Sequence, residues 1–182
     1  MSSSSNELSI WTPTDIVTIP NSAQTPDAIV QYAGATLSPR DMKAIVAGFD
    51  AEGFEMVSTF VWTKAAATLK KQVSTLGMEF VGEMLGRPDL DDDSEPTSAI
   101  GDYEAISLAE DLGMITSTQA LRLKHSMQLV NHFASLESND LEEEMMQREE
   151  AVSLLKNCIT SILGKPSFEV AFRLSEFRNR LS

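Results

Sequence analysis

Residues 54–85, FEMVSTFVWTKAAATLKKQVSTLGMEFVGEML, decide the fold of this chain. Phe54, Val57, Val61, Ala65, Leu69, Val73, Leu76, Phe80 and Met84 recur at steps of three and four residues. That spacing draws one apolar stripe along about nine turns of a 3.6-residue helix, and such a stripe must be buried against something. As one helix the stretch would be about 45 to 50 Å long at 1.5 Å per residue, longer than a compact domain of this size is wide. It is therefore either a central spine along which other helices pack, or two helices parted near Gly77. Gly77, Gly82 and Gly86 interrupt a strong helix former at about 1 kcal/mol each relative to alanine, a cost usually offset by close approach of another helix. Gly86 ahead of Arg87-Pro88 reads as a terminal cap.

Upstream, Thr25-Pro26-Asp27 and Ser38-Pro39-Arg40-Asp41 each set a hydroxyl cap before a proline at the first helical position, with an acid in the first turn. They predict helices over 26–33 and 39–50, the second burying Met42, Ile45, Val46 and Phe49. Before them, Pro13, Pro20 and Pro26 rule out a continuous helix, and residues 1–24 are expected to form an extended arm. Its apolar residues Trp11, Ile16, Val17 and Ile19 either dock on the protein's own core or bind a partner's groove or sheet edge.

Downstream, residues 89–96 form an acidic loop between two helical halves. Asp89, Asp91 and Asp93 alternate like the first ligands of a calcium-binding EF-hand, but Ser94 stands where that loop needs glycine and Ile100 where it needs a bidentate glutamate. A solvated linker is the better reading. Helices follow over about 98–112, over 117–136 behind the capping box Thr116 to Gln119, over 140–163 capped by Ser138 or Asn139, and over the final segment from Ser167. The fold class expected is all-α: a single domain, residues 25–182, built as an irregular bundle of about seven helices around the long central one.

Composition bounds what such a bundle does. The chain has 182 residues, 42% of them hydrophobic, and a net charge of −13 from 27 acids and 14 Lys and Arg. No apolar run approaches the roughly 20 residues of a spanning helix, and Met-Ser-Ser-Ser-Ser-Asn-Glu lacks the features of a secretory signal, so a soluble cytoplasmic protein is expected. The charge repels phosphate and anionic membranes and attracts a basic partner. Cys158 is the sole cysteine, which excludes an internal disulfide and a Cys-rich zinc site, and its apolar surroundings predict a buried structural thiol.

Chemistry is sparse. There is no Gly-rich phosphate loop, dinucleotide fingerprint or Gly-x-Ser-x-Gly elbow. His125 and His132 lie about 10 Å apart along one predicted helix, too far to share a metal. The helices joined at Gly113 have the outline of a helix-turn-helix with Arg122 and Lys124 on the second, but Asp102, Glu104, Glu110 and Asp111 on the first oppose phosphate. Lys64, Lys70 and Lys71 read as a solvated face. Glu79 and Glu83, one turn apart, are the pair that could hold a divalent ion, more so if Asp102 or Glu104 joins them.

The reading expected from these residues is a non-enzymatic adaptor or accessory subunit that binds a protein partner, such as an ATPase or nuclease that carries the chemistry. It has no cofactor or metal and contacts neither nucleic acid nor membrane directly; homo-oligomerisation is left open. Its expected contacts are the arm residues Trp11, Ile16, Val17 and Ile19, and two acidic faces, Asp91, Asp92 and Asp93, and Glu142, Glu143 and Glu144. The alternatives are an acidic nucleic-acid mimic that blocks a DNA-binding protein, and a carboxylate-metal enzyme on Glu79 and Glu83.

Overall fold

The computed structural model describes residues 17–136, 144–164, 176 and 178–181, and the regular elements among them are helices without strands. α1 (Pro26–Val30) opens where Thr25 accepts the Ala28 N–H, and a 3-10 segment, Gln31–Thr36, continues it. α2 (Pro39–Asp50) starts at the predicted cap: Ser38 Oγ accepts from Asp41 N at 3.1 Å, and Asp41 accepts from Ser38 N at 3.3 Å. The stripe at 54–85 folds by the second of its two readings, as α3 (Phe54–Ser74) and α4 (Met78–Leu85).

The parting has a local cause. The N–H groups of Thr75, Leu76 and Gly77 reach back only three residues, to the carbonyls of Gln72, Val73 and Ser74, and the Thr75 hydroxyl also bonds to Gln72 O at 2.6 Å. Gly77 then takes φ 95° and ψ 137°, which redirects the chain and which a side chain would resist. Burial survives the bend, because Leu76, Met78 and Val81 stay in the core on either side of it. α4 ends in a Schellman turn: Gly86 is left-handed, Arg87 N bonds to Gly82 O at 2.8 Å and Gly86 N to Glu83 O at 3.3 Å. The close approach expected of the glycines occurs at Gly82, where a Cβ would lie 2.7 Å from Arg87 O. The neighbour is the returning loop and not another helix.

The predicted 98–112 helix is split into α5 (Pro96–Ala99) and α6 (Asp102–Asp111). Ile100 is extended and buried, and Glu104 accepts the Gly101 N–H at 2.9 Å to start α6 afresh. α7 (Ser117–Ser135) begins at the Thr116–Gln119 capping box as predicted. α8 (Arg148–Cys158) starts later than expected, because Glu144–Gln147 are not helical. Met146 is instead buried against α3, its N–H bonded to Glu55 Oε1 at 2.8 Å and its sulfur accepting from Ser58 Oγ at 3.1 Å. α8 runs on into a π-helical turn, Ile159–Leu163. The predicted caps Ser138 and Asn139 lie outside the described residues, as does most of the final segment; residues 176 and 178–181 are helical.

α3 is the centre of the assembly and packs against α2, α5, α6, α7, α8 and the π-turn. Its stripe from Val57 to Val73 is fully covered by these helices, and its larger side chains, Val57, Val61, Leu69 and Val73, contribute about 1.5–3 kcal/mol each. Cover thins at the far end: Phe80 is partly buried and Met84 is exposed. The Thr36 hydroxyl donates to the Leu163 carbonyl, tying the 3-10 segment to the π-turn. No helix among the described residues is long and apolar enough to cross a membrane.

Candidate functional site

α1 and α2 lie side by side and leave an open groove of about 620 Å³ between them. Its origin is the width of the apolar face on α2. Of the four residues predicted to be buried, Ile45 and Phe49 go fully into the core, while Met42 and Val46, one turn apart, are only partly buried and face the groove. Val30 of α1 and Ala47 complete an apolar floor, and the charged residues around it are Asp27, Lys43 and Asp50. None of these three belongs to an ion pair among the described residues. Asp27 sits in the first turn of α1, where the helix dipole favours an acid. Asp50 is the last residue of α2, where the dipole opposes an acid, and no basic residue accompanies it in that turn.

Two smaller cavities involve residues singled out in the sequence. One of about 320 Å³ lies between α7 and α8, with His125, Ser126 and Leu129 facing Glu149, Glu150 and Asn157. His132 is not part of it; its ring meets Phe133 edge-on at 5.3 Å. The other, about 240 Å³, lies at the α3–α4 bend and is lined by Leu76, Phe80, Glu79, Glu83, Asp92 and Arg178. Glu79 and Glu83 are thus joined by Asp92 and a guanidinium, and not by Asp102 or Glu104. Those two are engaged elsewhere. Asp102 bonds to Lys70 Nζ at 2.7 Å and Trp62 Nε1 at 2.9 Å, and Glu104 to Arg87 at 2.9 Å. Among the described residues no group of three or more His, Cys, Asp or Glu side chains is arranged to hold a metal ion.

Lys70 corrects the reading of a solvated lysine face. It is buried, its ammonium held between Asp102 and the Thr97 carbonyl at 3.2 Å, whereas Lys64 and Lys71 are exposed. Lys124, which with Arg122 gave α7 its DNA-reading outline, lies over the Tyr103 ring at 5.0 Å and 3.8 Å from Glu110, in the seam with α6.

Of the arm residues, Val17 Cγ1 lies 3.0 Å from where a Cβ on Gly164 would be, and Ile19 packs partly buried on the core. Trp11 and Ile16 lie outside the described residues, as do Glu142 and Glu143; Glu144 is exposed. Asp91 closes its own turn, accepting from Asp93 N at 3.0 Å and Ser94 Oγ at 3.2 Å; Asp92 faces the α4 cavity and Asp93 is exposed. Cys158 is fully buried, and desolvation pushes its thiol pKa up, which keeps it protonated and unreactive.

Sequence reasoning passed over the groove. Two signals pointed to it: an apolar face on α2 wider than one packing seam needs, and an acid at the wrong end of that helix. Comparison of the chain with protein-family models, with curated proteins and with solved structures finds no match.

Proposed function

We propose that the protein is a non-enzymatic helical accessory subunit that works by contact, holding a protein partner in the groove between α1 and α2. The reading is carried by one observation: a groove with an apolar floor at Met42 and Val46 whose surrounding carboxylates, Asp27 and Asp50, form no ion pair among the described residues, although Lys43 lines the same groove. Chemistry, in this reading, belongs to the partner, and the excess negative charge steers a basic one toward the chain. A reducing, cytoplasmic setting suits a protein whose single thiol is buried and unpaired.

The nucleic-acid mimic is less well supported. Asp41, Asp89, Asp102, Glu104 and Glu110 lie 2.5–3.8 Å from Lys or Arg side chains of the chain itself, which cancels charge that a phosphate mimic would have to present. The carboxylate-metal reading must accommodate Arg178 beside Glu79 and Glu83, a competitor for any cation.

Affinity capture with cross-linking from the native host, comparing the wild-type chain with Val46→Glu, tests the proposal. The expected result is a partner cross-linked to α1 and α2 and lost in the variant, with unchanged helical circular dichroism. An identical set of captured proteins in both would sink it.

A further inference from the structure

Resting on that reading, we infer the kind of segment that fills the groove: an amphipathic helix of the partner, its apolar side chains seated on Met42 and Val46 and its basic side chains beside Asp27 and Asp50. Three observations carry this. First, α2 spends its backbone N–H and C=O groups on its own helical bonds, so the wall offers no edge for an added strand, and recognition falls to side chains. Second, the floor repeats at one helical turn. Met42 and Val46 stand four residues apart, so an incoming helix with apolar residues at three- and four-residue spacing meets them in register. The 12 residues of α2 span about 18 Å, room for roughly three turns of such a helix. Met42 adds a pliant thioether that adapts to the side chains it meets.

Third, the charges select the sign of the partner. Asp50 stands at the negative end of the α2 dipole with no basic neighbour in that turn, an arrangement that weakens the free protein and that a partner cation relieves. Asp27, also exposed and outside any ion pair among the described residues, offers a second seat for a cation. Lys43 repels a cation placed next to it, so the basic groups of the partner are directed to the two aspartates.

The test uses the full chain and a defined probe: a synthetic amphipathic helix of leucine and lysine, about four turns long, labelled for fluorescence polarisation. A leucine–glutamate twin serves as its opposite. The leucine–lysine peptide is expected to bind, and its affinity to fall about tenfold in the double variant D27N/D50N. It is expected to change little in D111N/E176Q, which removes the same charge from exposed positions outside the groove, and the glutamate twin is expected not to bind. Val46→Ser, which adds no charge, is expected to weaken binding as well. Equal weakening by the two double variants would reduce the effect to diffuse attraction between polyions and overturn the inference. So would failure of the lysine peptide to bind, or self-association of the free chain abolished by Val46→Ser, which would make a second copy the occupant. Asp50→Asn alone supplies a readout that a purely structural aspartate would not give: a thermal midpoint raised by about 1 to 3 °C together with weaker peptide binding. A lowered midpoint would remove the argument from Asp50. If the peptide experiments fail while Val46→Glu still abolishes partner capture, the partner segment is of another kind and the proposed function stands; if capture is also unaffected, both fall.

Discussion

Asp102 holds two donors of α3 at once, the Lys70 ammonium at 2.7 Å and the Trp62 indole N–H at 2.9 Å. Removing it as Asp102→Ala leaves a side chain only 11% exposed with its charge on a single carbonyl, and an indole without its acceptor. Breaking a buried pair costs about 3–5 kcal/mol, and because water reaches the 31% exposed Asp102 side the expected loss is nearer about 2 kcal/mol. Lys70→Met, which removes the charge and keeps the bulk, is expected to cost less than about 1 kcal/mol. Urea unfolding of both variants decides; equal losses would mean that the pair itself, and not the orphaned charge, carries the stability. Nothing in the spacing of Lys64, Lys70 and Lys71 distinguishes the buried one, since its burial depends on an acid 32 residues away at the start of α6. Cys158, by contrast, was legible from its apolar neighbours, and its burial has a pH consequence. Its thiol pKa is raised in the folded chain by desolvation, while the unfolded thiol ionises near about pH 8.5. Above that pH the unfolded chain binds fewer protons than the native one, so this contribution is complete below it and is lost as pH rises, with a slope approaching about 1.4 kcal/mol per unit. Cys158→Ala lacks the group. Its stability deficit relative to wild type, about 1 kcal/mol near neutrality, is expected to shrink between about pH 8 and pH 10 in urea titrations. A deficit that does not change would show that the folded thiol ionises as freely as the unfolded one.

At the scale of elements, the bend between α3 and α4 separates the two ways of reading the apolar stripe. In a continuous helix Gly77→Ala would stabilise by about 1 kcal/mol. At φ 95°, ψ 137° it is expected to destabilise by about 1–3 kcal/mol, and sterics add little, because the nearest atom to a new Cβ is Asp92 Oδ1 at 4.0 Å. The sign of the shift in thermal midpoint therefore reports the backbone conformation directly. Helix starts were legible at Thr25, Ser38 and Thr116, where a hydroxyl cap stands before the apolar pattern, because that signal is local. The misplaced boundaries share a different cause. Ile100 breaks a helix in order to fill the core, and Met146 delays one in order to bond with Glu55 and Ser58 of α3. In both places a partner distant in sequence overrides local preference, which periodicity does not register. The groove escaped for the same reason. Met42 and Val46 have the spacing of core residues, and only the position of α1 leaves them partly uncovered.

For the molecule as a whole, charge acts on folding and on the proposed binding with opposite sign. The net charge of −13 makes repulsion between like charges the dominant long-range interaction in the native state. The ion pairs among the described residues are few and largely at the surface, where each is worth about 0–1 kcal/mol. Screening that weakens both therefore relieves more repulsion than it removes attraction. Raising the ionic strength from about 0.01 M to about 0.15 M shortens the Debye length from about 30 Å to about 8 Å. Over that range the thermal midpoint of the free chain is expected to rise by a few degrees. A basic helix seated beside Asp27 and Asp50 loses its steering over the same range, so peptide affinity is expected to fall as the fold strengthens. Calorimetry and polarisation on one sample series separate the two. If the midpoint falls with salt, the surface pairs outweigh the net repulsion and the carboxylates are structural; if affinity holds constant while the midpoint rises, apolar contact with Met42 and Val46 alone holds the helix, and the two aspartates do not select the partner.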